Sequence, residues 1–115
     1  MESDIKLLKR GTVQIEGKEL HLKAHDIKLD NLSRRKKGAS GHRRAMVHDN
    51  TDGLTINFNG DYPGGVTMKG NIKCDKIEMV QLKRLFGHTS LIDTIATMKR
   101  EMDALNRRIA KLEKR

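Results

Sequence analysis

The chain has 115 residues, enough for one modest domain or for a short fold with an extended appendage. Hydrophobic residues make up 36% and charged residues 34%, and Phe58, Phe86 and Tyr62 are the only aromatic rings. That scarcity argues against a thick self-sufficient core and for thin aliphatic layers in an elongated or oligomeric protein. The net charge of +9 suits polyanions, whether nucleic acid, anionic lipid or cell-wall polymer, and the single cysteine, Cys74, excludes an intramolecular disulfide or a cysteine-based zinc cage.

The opening "MESDIKLLKR" has no apolar run long enough for a signal peptide, and nothing later approaches transmembrane length. A protein made in the cytoplasm without export or membrane insertion is expected. Residues 1–10 fit one or two helical turns with Ile5 and Leu8 on one side. From Thr12 the period becomes two: Val13 and Ile15, then Leu20 and Leu22, then Ile27 and Leu29 mark short alternating segments, which is strand-like.

Residues 33–44, "SRRKKGASGHRR", have no apolar period and read as an exposed or mobile basic loop. Its cations Arg34, Arg35, Lys36, Lys37, Arg43 and Arg44 are the candidate polyanion contacts. Strands resume with Leu54, Ile56 and Phe58. Asn59-Gly60 predicts a tight hairpin turn, Pro63-Gly64-Gly65 a type II turn, and Gly70-Asn71 a further turn. Val66 and Met68, Ile72 and Cys74, and Ile77 and Met79 continue as irregular short-strand pairs.

Near Val80 the period becomes helical, with Leu82, Leu85 and Phe86 on one face and Gly87 as a stop. Ser90 and Asp93 have capping-box spacing for a second helix that no Gly or Pro interrupts. Its seam places Leu91, Met98, Leu105 and Leu112 at d and Ile95, Met102 and Ile109 at a. Glu101 and Arg108 fall at g, and Lys99 and Glu113 at e. Steps of four and three sum to seven, the repeat of a coiled coil, where a helix packed on its own domain carries a wider apolar stripe. Leu91 to Arg115 would extend roughly 37 Å.

Ile at a with Leu at d favours two strands. Residues 108–113, "RIAKLE", resemble instead the Arg-h-x-x-h-Glu pattern of trimeric coiled coils at all four specified positions, and a trimer is expected over a dimer. That resemblance implies that Arg108 lies over the seam and meets Glu113 of a neighbouring chain. The expected fold is mainly β with C-terminal α: an intertwined homotrimeric strand-rich fibre shaft followed by a parallel coiled coil. Its parts are an N-terminal segment 1–10, a shaft 11–79 containing the basic loop 33–44, a linking helix and turn 80–89, and the coil 90–115. The expected trimer interface comprises Leu91, Ile95, Met98, Met102, Leu105, Arg108, Ile109, Leu112 and Glu113.

Residues 43–77, "RRAMVHDNTDGLTINFNGDYPGGVTMKGNIKCDKI", with the coiled coil beside them, resemble bacteriophage tail-fibre and tail-spike proteins. The Gly-punctuated strand pairs, Asp61-Tyr62-Pro63-Gly64-Gly65-Val66 above all, carry the likeness. The chain departs from that family in being much shorter than most full fibres. The resemblance implies a viral structural protein of a phage or phage-like particle, acting in host attachment or in joining particle parts. Its partners would be its own copies, other particle proteins or a host surface polymer.

Other chemistries have thinner support. The basic run could bind nucleic acid, but interleaved aromatics and a helix-turn-helix pattern are missing. An outer-loop carbohydrate or cell-wall polymer adhesin would have Tyr62 as its one stacking ring. His21 and His25 could share a strand face and contribute to a three-fold metal site, yet isolated histidines are more often surface groups, and no metal site or cofactor is assigned. "DNTDG" at 49–53 lacks the ligand spacing of a calcium loop. Cys74 has no activating neighbour in sequence, and Asp49, Asp52 and Asp61 sit where acidic residues shape turns. No catalytic residues and no enzymatic role are expected.

Overall fold

A reversal at Lys9–Gly11, with Arg10 at φ 65° and Gly11 at φ 73°, turns the chain back on itself almost at once. The computed structural model describes residues 4–114. Strands β1 (Asp4–Leu7) and β2 (Val13–Glu16) pair antiparallel across that turn, with Ile5 opposite Ile15 and Leu7 opposite Val13. Of the helical turns expected over residues 1–10, residues 4–7 form a strand instead, and residues 1–3 lie outside the described residues. Ile5 and Leu7 alternate as well as Ile5 and Leu8 match a helix, and the cross-strand partners decide between the two.

A second sheet has the order β3–β4–β5, formed by Asp26–Lys28, Arg44–His48 and Leu54–Ile56. Met46 pairs with Ile27 on one side and Ile56 on the other, so these three side chains share a face. Val47, on the opposite face and opposite Thr55, is the one buried hydrophobic side chain among the described residues, at 6% exposure. The tight connection between β4 and β5 is made by "DNTDG". The Asp52 amide donates to the Asp49 carbonyl (3.1 Å), and Asp52 takes φ 59°. A Cβ at Gly53 would stand 3.0 Å from the Asp49 carboxylate, which would have to shift to admit it.

Several expected strands have no partner strand among the described residues. Leu20 and Leu22 lie in irregular backbone, and so do Val66 and Met68 and Ile72 and Cys74. Asn59 (φ 57°) and Gly60 (φ 66°) do take the left-handed values of a tight turn, but inside a short 3-10 turn, Phe58–Gly60, that leads into no second strand. At Tyr62–Gly65 the turn is closed by the Gly65 amide donating to the Tyr62 carbonyl (2.9 Å). The left-handed residue is Gly65 (φ 78°), not Gly64, so the expected type II geometry gives way to a turn followed by a left-handed glycine.

The chain divides into two units, Met1–Thr67 and Met68–Arg115. In the second, helix α1 (Leu82–Phe86) stops at Gly87, whose amide donates to the Lys83 carbonyl (2.9 Å). Helix α2 (Leu91–Glu113) follows, its first turn capped by the Ser90 hydroxyl, which accepts from the Asp93 amide (3.2 Å). Small antiparallel sheets followed by one long C-terminal helix thus form the β-plus-α outline expected from the sequence. No described helix is long and apolar enough to cross a membrane.

Candidate assembly interface

The functional candidates fall into two sets, the cations of the basic loop and the seam of α2. In the loop, three of the six cations are engaged inside their own unit. Arg35 forms a bidentate pair with Asp30, at 2.8 and 2.6 Å, and also donates to the Gly41 carbonyl (3.0 Å). This pairing raises the Arg35 pKa and lowers that of Asp30. Arg43 is 5% exposed and donates to the carbonyls of Ser40 and His42.

Arg44 closes on Asp61, a carboxylate with no exposed surface. The Arg44 Nε donates to Oδ2 (2.6 Å), Nη2 to Oδ1 (3.1 Å), and the Arg44 amide to Oδ2 (3.1 Å). The guanidinium also sits 4.6 Å from the centre of the Phe58 ring, a cation–π contact. Hydrogen bonding from Arg44 outweighs burial and lowers the Asp61 pKa to about 2. Tyr62 ties the same region together: its hydroxyl lies 2.8 Å from the Leu29 carbonyl and 2.9 Å from the Arg43 carbonyl, and accepts from the Leu29 amide (3.2 Å). Arg34, Lys36 and Lys37 are left facing outward from a loop whose other cations hold it in shape.

Asp49 accepts from the amides of Thr51 and Gly53 and from the hydroxyls of Thr51 and Thr55, and these bonds lower its pKa to about 2. Both carboxylates are thereby held ionised by turn and strand partners. Asp52 instead meets the His48 ring (2.7 Å). Among the described residues, no three His, Cys, Asp or Glu side chains converge as metal ligands.

The seam of α2 is laid out as a stripe. Ile95, Met98, Met102, Leu105, Ile109 and Leu112 are all exposed, and Leu91 is half-buried beside the bridge that joins Glu78 to Ser90. On the outer side, Lys99 pairs with Asp103 at 3.0 Å, and Arg100 donates to the Thr97 hydroxyl (3.2 Å). Arg108 and Glu113 form no ion pair within the chain among the described residues. The 23 residues of α2 span roughly 34 Å, and the apolar row runs along that length, with Met102, Leu105, Ile109 and Leu112 all exposed among the described residues.

Sequence reasoning missed two contributors, β4 and the Arg44–Asp61 pair. In β4 the alternation of Ala45 and Val47 was available but stands between two arginines and a histidine. The Arg44–Asp61 pair joins residues 17 apart, for which no local pattern exists. No family model, curated protein or solved structure matches the chain.

Proposed function

We propose that the chain is a non-catalytic structural or attachment element of a phage or phage-like particle. Three copies intertwine their strand-rich segments ahead of a parallel coiled coil. One observation carries this reading. Val47 is the one buried hydrophobic side chain among the described residues, while Ile95, Met98, Met102, Leu105, Ile109 and Leu112 lie exposed along α2 at heptad spacing. That row suits an obligate assembly in which copies supply one another's interior.

Two further features support it. From Val66 to Lys76 no backbone hydrogen bond is made among the described residues, although Val66, Met68 and Ile72 are apolar and exposed. Water can meet these exposed amides and carbonyls in a single chain, and they stay open to partner strands, which other copies would provide. Arg108 and Glu113, without an ion pair among the described residues, suit the pairing between chains that the trimeric pattern implies. The phage assignment rests on the likeness of residues 43–77 to tail-fibre sequences. The outward Arg34, Lys36 and Lys37 would face particle proteins or a host surface polymer. Nucleic acid is the weaker partner, because Arg35, Arg43 and Arg44 already have internal ligands.

Light scattering tests the reading directly. The expected mass is that of three chains, and Ile109→Asp should dissociate them by placing a charge at every seam position 109. A folded, stable monomer at micromolar concentration would overturn it. A salt-sensitive shift of labelled DNA near physiological ionic strength would move the function to nucleic-acid binding.

A further inference from the structure

Where the chain enters α2, residues 77–79 run antiparallel to residues 89–91. The Met79 amide donates to the Thr89 carbonyl (2.8 Å), and the Leu91 amide to the Ile77 carbonyl (3.1 Å). Beyond that short bridge the two arms diverge and leave a groove between Cys74–Glu78 and the first turns of α2. Its apolar lining is Ile77, Leu91, Ile92 and Ile95. Its charged lining is acidic, with Asp75, Glu78 and Asp93 against the single cation Lys76.

We infer that this groove is the seat of the adjacent copy of the chain, so that the arm 74–78 clasps the next chain's helix and extends the interface past the coiled-coil seam. The inference rests on the trimeric reading above and names a contact that the coil alone does not require. Heptad position supplies the first argument. Leu91 and Ile95 are the first d and a residues of the seam, and Ile92 falls at e. In a parallel coil the e side of one helix faces the neighbouring helix, so a groove lined by d, e and a opens onto the next chain.

Composition supplies the second argument. Position e ordinarily carries a charge, as Lys99 and Glu113 do further along, whereas Ile92 is aliphatic and 68% exposed within its own chain. An isoleucine is suited to e when something beyond the seam covers it.

Ile92→Asp separates a clasp from a simple coil. Aspartate in the first helical turn favours the helix itself through the helix dipole, and a coil held by a and d alone would tolerate a charge at e. With the clasp, the trimer's midpoint concentration for dissociation should rise at least tenfold, while Arg107→Asp at the outer f position changes it less than twofold. Equal behaviour of the two variants would overturn the inference. Cys74 provides a second reading on the unaltered sequence. Labelled with benzophenone maleimide and irradiated in trimers mixed from ¹⁴N and ¹⁵N chains, it should capture residues 88–98 of the other isotope. Capture confined to one isotope in a protein of trimeric mass would overturn the clasp yet leave the trimer standing; a monomeric mass would remove the trimer first.

Discussion

In Met1–Thr67 a small sheet with one buried aliphatic residue is held by side chains that reach across loops: Arg44 to Asp61, Tyr62 to Leu29 and Arg43, Arg35 to Asp30. In Met68–Arg115 the order is local instead. A capped helix satisfies its own backbone, and its apolar stripe faces outward. The first unit is held by polar bonds inside one chain, although Ile5, Leu7 and Leu54 stay exposed. The second leaves the apolar row of α2 exposed along a helix that satisfies its own backbone. Perturbing polar groups should therefore damage the first unit, and perturbing α2 should change assembly or helix content.

The strongest break of that contrast is Arg44→Met. It keeps a long apolar stem over Phe58 but leaves the ionised, fully buried Asp61 without its counter-charge. Removing one member of a buried pair is among the most damaging single changes, and the unfolding midpoint of the first unit should fall by roughly 10–20 °C, read at fixed protein concentration. Circular dichroism from α2 should persist through that transition. Acid should act on the same unit. Asp61 and Asp49 each titrate near about 2 in the folded chain, against an ordinary 3.8. Their stabilising contribution is therefore complete above about pH 4 and is lost as pH falls toward 2. Near-neutral changes in pH should leave these two groups ionised, and acid melting without a step between pH 4 and 2 would contradict their role.

Tyr62→Phe is the next smaller effect. It keeps the ring but strips the hydroxyl from the Leu29 amide and two carbonyls, which should cost about 1–3 kcal/mol in chemical denaturation of the first unit. Tyr62 also shows where legibility ended. Its position beside Pro63-Gly64-Gly65 marked a turn, and a turn is there, yet nothing near it in sequence announced Leu29 as its partner. The same holds for the basic loop. Composition supplied its charge, but a row of arginines does not say which of them will find carboxylates or carbonyls. By contrast α2, its Ser90 cap and the Gly87 stop were readable because each is decided within four residues. The ladderless stretch from Val66 to Lys76 lies between these cases: alternation is visible, but a strand also needs a partner, and none is present among the described residues.

Ser90→Ala should produce a smaller loss in the other unit. The Ser90 hydroxyl caps the Asp93 amide, and its removal leaves that amide without its side-chain partner at the helix start. Such changes cost about 1 kcal/mol. The Ser90 carbonyl, which accepts from the Thr94 amide and hydroxyl, belongs to the backbone and survives the substitution. The expected outcome is a modest drop in thermal midpoint with an unchanged acid transition, because the acid-sensitive carboxylates Asp49 and Asp61 lie in the other unit. A matching shift in both transitions would mean that the two units do not melt separately.

The smallest expected effect sharpens the claim that charge on the outer side of α2 matters little beside the seam. Lys99 and Asp103 are spaced one turn apart and meet at 3.0 Å, but both remain well exposed. Water already solvates each ion, and holding two long side chains together has an entropic cost, so such pairs contribute about 0.3–0.5 kcal/mol. Asp103→Asn should lower stability by no more than that, and half a molar salt should erase the difference between variant and parent. The apolar seam responds in the opposite sense, since added salt does not screen burial of Ile95 or Leu105. If Asp103→Asn instead dissociated the assembly, Asp103 would have to face a cation on a neighbouring chain, and the interface would have to include the b positions as well as a, d and e.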